Sequence, residues 1–169
     1  MSESHELSSP TRSARLIAAT SAHLDRARSR ELATLPDEGL RLPAGGLESP
    51  ALLAWLDRIA VGVQEATGER GIWLIAAGHE VVGLISFKGP PHEGVVEIGY
   101  GVVASRRGRG HATRAVALVL AEATRLGLRL RAETSLDNLP SQRVLERNGF
   151  RRVGERHDVD EGHLVLWSR

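Results

Sequence analysis

The stretch 105–113, SRRGRGHAT, decides how this 169-residue chain is interpreted. It follows the apolar run 95–103, which is typical of a strand, and it precedes an amphipathic stretch that begins near Ala112. Apolar residues from Ala112 to Leu126 recur at helical spacing. The stretch is therefore predicted to join the C-terminal end of a strand to the N-terminus of a helix, where unpaired backbone N–H groups favour an anion.

The glycines and arginines of this turn fit a phosphate-binding site. Gly108 and Gly110 leave no side chain to obstruct a ligand, while Arg106, Arg107 and Arg109 can donate charge-assisted hydrogen bonds. A solvated basic turn, with glycines present only for its geometry, explains the same residues. The spacing matches neither a Walker loop nor the Gly-x-Gly-x-x-Gly dinucleotide pattern. The shape of the turn alone leaves both interpretations open.

Composition indicates a single domain. With 41% hydrophobic residues the chain can bury a core without metals or disulfides. It has no cysteine, which excludes a thiolate nucleophile and zinc fingers and favours a reducing compartment. The polar segment 1–12 is expected to be a flexible tail, with the domain covering 13–169. Since no secretory signal and no run of roughly 20 apolar residues is present, we expect a cytoplasmic protein without membrane partners.

Hydrophobic periodicity divides the chain into alternating strands and helices. Strands are predicted near 14–20, 94–103, 128–133, 150–156 and 163–169, with a hairpin over 71–89 and helices near 21–32, 50–67, 112–126 and 138–149. A long loop is predicted between Leu35 and Pro50. The order predicts an α/β or α+β domain whose mixed central sheet contains a parallel strand pair spanning the helix 112–126.

Two local expectations concern helix packing and strand shape. Ser49 is expected to N-cap the second long helix, with Pro50 at its first position. The buried face of that helix is predicted to consist of Leu52, Trp55, Leu56, Ile59 and Val63, which are spaced by three and four. Gly99 and Gly101 within a strand predict either a bulge or the close approach of another group.

Several motifs together resemble the GNAT family of acyl-CoA N-acyltransferases, in particular its RimJ/RimL-like branch. Arg107, Gly110 and Ala112 fit the pyrophosphate loop of that family. Its pattern is Arg/Gln-x-x-Gly-x-Gly/Ala, where x is any residue. EIGYGV precedes the loop at 97–102, and DNLPSQRVLERNGFRRVGE follows it at 137–155. In the second motif the matching positions are Asn138, Ser141, Asn148, Gly149 and Phe150.

The resemblance covers 71–169 well and the preceding residues only by their helical outline. It implies a GNAT-like fold in which a parallel strand pair, here 95–103 and 128–134, splays apart to hold coenzyme A. The residues implied for binding acetyl-CoA are Val102, Val103, Arg107, Gly108, Arg109, Gly110, His111, Ala112, Thr113, Asn138 and Ser141. Asn138 is also expected to cap the helix after it, and the side chain of His111 is interpreted as part of the loop. No metal site is expected.

In this family an amine attacks the thioester of acetyl-CoA directly, within a ternary complex. The resemblance implies Glu133 as the base that deprotonates the amine, with Glu97 as the alternative. An ion pair between Glu133 and Arg131 is the non-catalytic explanation. Many members carry a tyrosine that protonates the leaving thiolate, and Leu145 stands at that position here. Ser141, or else water, is therefore the expected substitute.

The acceptor is left open between a protein N-terminus and a small-molecule amine. The walls of its cleft are expected to come from residues 21–50 and 156–163. The second segment carries Asp158, Asp160 and Glu161, which either attract a cationic amine or are simply solvated. A non-catalytic acyl-CoA sensor is the alternative function, supported by the missing tyrosine. Nucleic-acid binding is not favoured, because 22 basic residues are offset by 21 acidic ones and only 4% of residues are aromatic. The chain is expected to act as a monomer or a homodimer.

Overall fold

The computed structural model describes residues 14–29 and 34–169, and the tail expected at 1–12 lies outside them. The described helices are α1 (Ser21–Ser29), α2 (Pro50–Thr67), α3 (His111–Arg125) and α4 (Leu139–Arg147). The strands are β1 (Arg15–Ala18), β2 (Thr34–Leu35), β3 (Leu40–Arg41), β4 (Ile72–Ala77), β5 (Glu80–Phe87), β6 (Val95–Val102), β7 (Arg129–Ser135), β8 (Arg151–Asp158) and β9 (Gly162–Ser168). They form one sheet in the order β1-β4-β5-β6-β7-β9-β8, and β3, which pairs with β2, also pairs with β5. This mixed sheet with its flanking helices confirms the predicted architecture.

The parallel strand pair predicted around the helix 112–126 is β6 and β7, with α3 as the crossover between them. Val95 to Ile98 pair with Arg129 to Ala132, and the pairing between these two strands stops there although both strands continue. Beyond that point β6 stays paired with β5, and β7 stays paired with β9. The two strands therefore separate and leave a gap in the middle of the sheet.

The glycines of β6 do not form a bulge, so that expectation is wrong. Residues 98–102 pair one for one with residues 83–87 of β5. The alternative expectation, close approach of another group, fits the structure: a Cβ atom on Gly101 would lie 2.8 Å from Oε1 of Glu48. A Cβ atom on Gly83 would collide with the carbonyl oxygen of Gly101. Gly83 is therefore required, because backbone atoms occupy the space of a side chain, whereas a side chain at Gly101 would have to displace the flexible side chain of Glu48.

Helix α2 begins as predicted, and the predicted burial of Leu56 and Val63 is confirmed, but the buried face is otherwise shifted. The Ser49 hydroxyl accepts a hydrogen bond from the Leu52 N–H at 3.1 Å, which confirms the N-cap. The buried residues of the helix are Leu53, Leu56, Ala60 and Val63. Leu52 and Trp55 are 37% and 36% exposed, so their predicted burial is wrong. Both sets are spaced by three and four, and the small side chain of Ala60 concealed the true core face.

The segment predicted as a long loop between Leu35 and Pro50 contains structure of its own. A helical turn at Pro36–Glu38 joins β2 to β3, and β3 attaches this segment to β5. Leu35 and Leu40 are each 1% exposed and pack into the core beside α1 and α2. The predicted end of the first helix near Leu32 lies outside the described residues.

Two hydrophobic clusters fix the helices on the sheet. One includes residues of α3 and α4, such as Val116 and Leu145, and the other includes residues of α1 and α2, such as Leu24 and Leu53. Side chains alternate along a strand, and the even-numbered residues of β6 pack on the first cluster, so its odd-numbered residues face the other way. None of the described helices is long and apolar enough to cross a membrane.

Candidate functional site

Two cavities adjoin at the gap between β6 and β7, with volumes of about 560 Å³ and 390 Å³. The larger is the arginine cavity, lined among others by Arg106, Arg107, Arg143 and Arg147. The smaller is the carboxylate cavity, lined among others by Glu48, Glu133 and Glu161. Both cavities are lined by Tyr100, Gly101, Asn138 and Ser141. A ligand in one cavity can therefore meet a ligand in the other at these shared residues.

The turn that precedes α3 presents its backbone to the arginine cavity. Gly108 and Gly110 have φ values of +73° and +77°, a left-handed conformation that favours glycine. A Cβ atom at either position would meet no heavy atom within 4 Å, so the space beside the turn is open. Because α3 begins directly after Gly110, the N–H groups of its first turn have no partners within the helix. The turn thus has the open, donor-rich surface that an anion site requires.

The charges around this turn are positive. No carboxylate is found among the described residues that line the arginine cavity. Arg106 donates to Glu80 from Nε at 3.0 Å and from Nη2 at 2.7 Å, which partly offsets its charge. Arg107 donates from Nε to the Val102 carbonyl at 2.9 Å and so ties the turn to the end of β6. Arg109 is exposed and does not line the cavity, which weighs against its predicted contact.

His111 is a helix residue, and its interpretation as a loop side chain is corrected. It is the first residue of α3 and is only 8% exposed. Burial, followed by the nearby charges of Arg109 and Arg106, lowers the pKa of the imidazole below its ordinary value. His111 lines the arginine cavity as a neutral group at neutral pH.

The other residues predicted for the cofactor fall into two groups. Val102, Ala112 and Thr113 line the arginine cavity. Val103 does not: its N–H donates to a β5 carbonyl at 2.9 Å, and its carbonyl accepts from the Arg106 N–H at 2.9 Å. Both backbone groups of Val103 are already engaged, which weighs against its predicted contact with a cofactor.

A pair of hydroxyl groups lies where the two cavities meet. The Ser141 hydroxyl donates to the Tyr100 hydroxyl at 3.0 Å, which in turn donates to the Ser141 carbonyl at 3.2 Å. Burial raises the pKa of Tyr100, so the phenol keeps its proton at neutral pH. Asn138 caps α4 as predicted, since its Oδ1 accepts from the Ser141 N–H at 3.2 Å. Sequence analysis missed Tyr100, although it is the one tyrosine of the chain and stands between two glycines.

Glu133 lines the carboxylate cavity but is held by an arginine. Arg156 donates to its two carboxylate oxygens at 3.0 Å and 2.7 Å, and these hydrogen bonds lower the pKa of Glu133. The expected alternative, an ion pair with Arg131, is wrong in its partner, because Arg131 donates to Glu97 at 3.1 Å. A carboxylate held in this way is a weak proton acceptor.

Glu97 is still more constrained. Lys88 lies 2.6 Å from one of its oxygens and Arg131 lies 3.1 Å from the other. Its side chain is 13% exposed, and it lines neither cavity. These contacts weigh against Glu97 as the base.

The turn between β8 and β9 holds the acidic residues that were considered for attracting an amine. Asp158 accepts a hydrogen bond from Arg156 at 2.7 Å and from the N–H groups of Asp160 and Glu161 at 3.0 Å and 3.1 Å. The hydrogen bond from Arg156, and then those from the two N–H groups, lower the pKa of Asp158 to about 2. Asp158 thus shapes the turn, while Glu161 lines the carboxylate cavity.

Sequence comparison gives a match to one protein family. The profile of the family described as "Acetyltransferase (GNAT) domain" matches residues 15–151. No curated protein matches the chain significantly.

Solved structures with the same fold cover nearly the whole chain. A putative GNAT-family acetyltransferase from Bordetella pertussis is 23% identical, with a TM-score of 0.68 over 94% of this chain and 96% of its own. RimL, described as a ribosomal alpha-N-protein acetyltransferase in complex with coenzyme A, is 20% identical, with a TM-score of 0.69 over 93% of each chain. Mycobacterium smegmatis RimJ, in complex with a CoA-disulfide, is 25% identical, with a TM-score of 0.65 over 92% of this chain and 81% of its own.

Proposed function

Because this chain belongs to the GNAT acetyltransferase family, we propose that it transfers an acetyl group from acetyl-CoA to a primary amine. The observation that carries this proposal is the pair of adjoining cavities, one positive and one lined by carboxylates. A cofactor with several phosphates suits the first cavity, and a cationic amine suits the second. The two ligands then meet at the gap between β6 and β7.

The arginine cavity fits the pyrophosphate of coenzyme A. Its turn has open space beside Gly108 and Gly110 and unpaired N–H groups at the start of α3. Arg107 and Thr113 line the same cavity and add further donors. The end of β6, at Tyr100 to Val102, has no partner strand on its β7 side and, apart from the Val102 carbonyl that accepts from Arg107, can pair with an extended ligand.

Acetyl-CoA, when bound, supplies a thioester that an amine can attack and a thiolate that must then receive a proton. Leu145 is fully buried in the core and has no proton to give. The hydroxyl pair of Tyr100 and Ser141 lies at the shared boundary of the two cavities instead. We assign to this pair the proton-donating role for which Ser141, or else water, was expected from the sequence.

The acceptor belongs to the class of primary amines, and both a protein N-terminus and a small-molecule amine meet that description. RimL is named as an enzyme that acts on a protein N-terminus, but a likeness at 20% identity concerns the fold. The volume of the carboxylate cavity, about 390 Å³, is large enough for a small amine or for the first residues of a peptide.

A thiol-release assay tests the proposed function. The protein is incubated with acetyl-CoA and, one at a time, with small primary amines and with peptides that have a free N-terminus. We expect release of free thiol with at least one of these acceptors and none without an acceptor. Tight binding of acetyl-CoA without thiol release from any acceptor would support the acyl-CoA sensor instead.

A further inference from the structure

Glu48 is a carboxylate at the boundary of the two cavities. It directly precedes Ser49, the N-cap of α2, and it lines the carboxylate cavity. Its Oε1 lies 2.8 Å from the position that a Cβ atom on Gly101 would take, so it lies against β6 where the strands separate. The side chain is half-buried, and none of the described residues donates a hydrogen bond to it or forms an ion pair with it.

The other carboxylates near this point are differently placed. Glu133 is held by both ends of the Arg156 guanidinium, and Glu97 lies outside both cavities. Glu161 is exposed, in the turn between β8 and β9. Glu48 is therefore partly buried, its carboxylate is available to accept hydrogen bonds from a ligand, and it lies against the strand at which the cavities meet.

We propose that Glu48 receives the ammonium group of the acceptor and takes the proton that this group loses before the nitrogen attacks. The inference rests on the proposed function and specifies the residue that prepares the acceptor. One N–H bond of the ammonium breaks, its proton joins a Glu48 oxygen, and the nitrogen lone pair becomes free to form the bond to carbon. A second proton leaves the nitrogen as that bond forms and passes to the hydroxyl pair of Tyr100 and Ser141, which gives its own proton to the thiolate, while the proton on Glu48 returns to solvent.

The surroundings of Glu48 suit a proton acceptor. Burial raises its pKa above the ordinary value, and the charge of Arg107 opposes this effect. The other charged groups that line the same cavity are Lys88, Glu133 and Glu161. A carboxylate with a raised pKa is a stronger base, and thus a better proton acceptor from an amine, than one held by an arginine.

The wall beside Glu48 indicates which amines fit. Leu52 and Trp55 lie on the first turns of α2, line the carboxylate cavity and keep more than a third of their surface exposed. Apolar surface exposed inside a cavity is favourable for apolar ligand groups. We therefore expect a primary amine with an apolar substituent, and 2-phenylethylamine serves as the probe.

The experiment compares the wild-type protein with Glu48→Gln and with the control Glu65→Gln. Glu65 lies on the exposed surface of α2 and lines neither cavity. Calorimetry measures the binding of 2-phenylethylamine and of the uncharged 2-phenylethanol to protein saturated with coenzyme A. Thiol release from acetyl-CoA with 2-phenylethylamine is measured from acidic to alkaline pH, and far-UV dichroism checks the fold of each variant.

We expect the wild type and Glu65→Gln to bind the amine at least about tenfold more tightly than the alcohol, and Glu48→Gln to lose this preference. We also expect Glu48→Gln to lower kcat/KM by about tenfold or more at neutral pH, with a smaller deficit near the pKa of the amine itself. Thiol release by Glu48→Gln at the wild-type rate, or an unchanged preference for the amine, would overturn the role of Glu48 and leave the proposed function standing. Absence of thiol release from the wild type with 2-phenylethylamine and with every other acceptor of the panel would overturn the proposed function, and the binding measurements would still decide whether Glu48 receives an ammonium group.

Discussion

The arginine cavity and the carboxylate cavity are built from the chain in different ways. One end of the arginine cavity comes from a single turn, whose glycine conformations and helix start depend on adjacent residues. The carboxylate cavity takes its charged groups from distant segments, with Glu48 before α2, Lys88 after β5 and Glu133 on β7. A site formed by local backbone geometry can thus be recognised in a sequence, whereas a site assembled by tertiary packing depends on the whole fold.

The largest effect is expected from a side chain placed on the turn of the arginine cavity. Gly110→Val would push a pyrophosphate away from several N–H donors, and each such bond is worth on the order of 1.5 to 3 kcal/mol. Loss of two of them weakens acetyl-CoA binding by about a hundredfold or more. Calorimetric titration of acetyl-CoA measures this change.

Gly127→Val is the matched control for Gly110→Val. Gly127 and Gly110 have φ values of +71° and +77°, and a Cβ atom at either position meets no heavy atom within 4 Å. Both substitutions therefore strain the backbone similarly, but Gly127 follows the C-terminal end of α3 and lines neither cavity. Equal affinity of both folded variants for acetyl-CoA would mean that the turn 105–113 only connects β6 to α3.

The next effect concerns the hydroxyl pair shared by the two cavities. Tyr100→Phe and Ser141→Ala should each slow turnover by about tenfold to a hundredfold, because a positioned proton donor is lost. The double variant should be little slower than either single variant, because the two hydroxyl groups act together. The affinity for acetyl-CoA should stay nearly unchanged. A large loss of that affinity in Ser141→Ala would make Ser141 a cofactor ligand rather than part of a proton donor.

A smaller effect is expected from the arginine that ties the turn to β6. Arg107→Ala should weaken acetyl-CoA binding by about tenfold, because it removes a charge while the N–H groups of the turn remain. Arg107→Lys keeps the charge and should recover part of the affinity. Arg109→Ala, at an exposed position outside the cavity, should have less effect than Arg107→Ala. A larger loss of affinity in Arg109→Ala than in Arg107→Ala would place the phosphates on the exposed side of the turn.

The smallest effect is expected at the ion pair in the carboxylate cavity. The hydrogen bonds from Arg156 lower the pKa of Glu133 in the folded state below its ordinary value of 4.5. Their contribution to stability is therefore fully present above that ordinary value and is lost as the pH falls through the lowered one. Glu133→Gln should reduce the free energy of unfolding by roughly 0.5 to 1 kcal/mol at neutral pH. Urea unfolding should show that the difference in free energy of unfolding between the wild type and Glu133→Gln is smaller at acidic pH than at neutral pH.

The same variant also tests the catalytic role predicted for Glu133. Because the Arg156 pair makes it a weak proton acceptor, we expect Glu133→Gln to retain most of its turnover, with a deficit that is similar at low and high pH. A deficit that is clearly larger at low pH would instead identify Glu133 as the base.

Local signals in the sequence predicted much of the fold and one side of the site. Ser49 and Asn138 cap their helices as predicted, because N-capping depends on residues three positions apart. The parallel strand pair and its crossover helix followed from clear periodicity. The buried face of α2 was partly misassigned because Leu52 and Trp55 fit the same helical spacing as the true core residues.

The remainder of the site depends on contacts between distant residues. Tyr100 and Ser141 are 41 positions apart, and Glu48 lies against Gly101 of the central strand β6, so no sequence spacing relates them. The partner of Glu133 is likewise set by the fold, since the strand β8 brings Arg156 to it. These residues carry the proposed chemistry, and only the folded arrangement of the helices around the separated strands brings them together.

A crystal structure of the protein with coenzyme A tests the two-cavity site most directly. We predict that the pyrophosphate contacts the backbone N–H groups of 108–113 and that the sulfur lies in the gap between β6 and β7, beside Tyr100 and Ser141. The carboxylate cavity, with Glu48 at its boundary, should remain open on the other side of the sulfur. Coenzyme A bound with its sulfur outside the gap, or with its pyrophosphate away from the turn, would contradict this assignment.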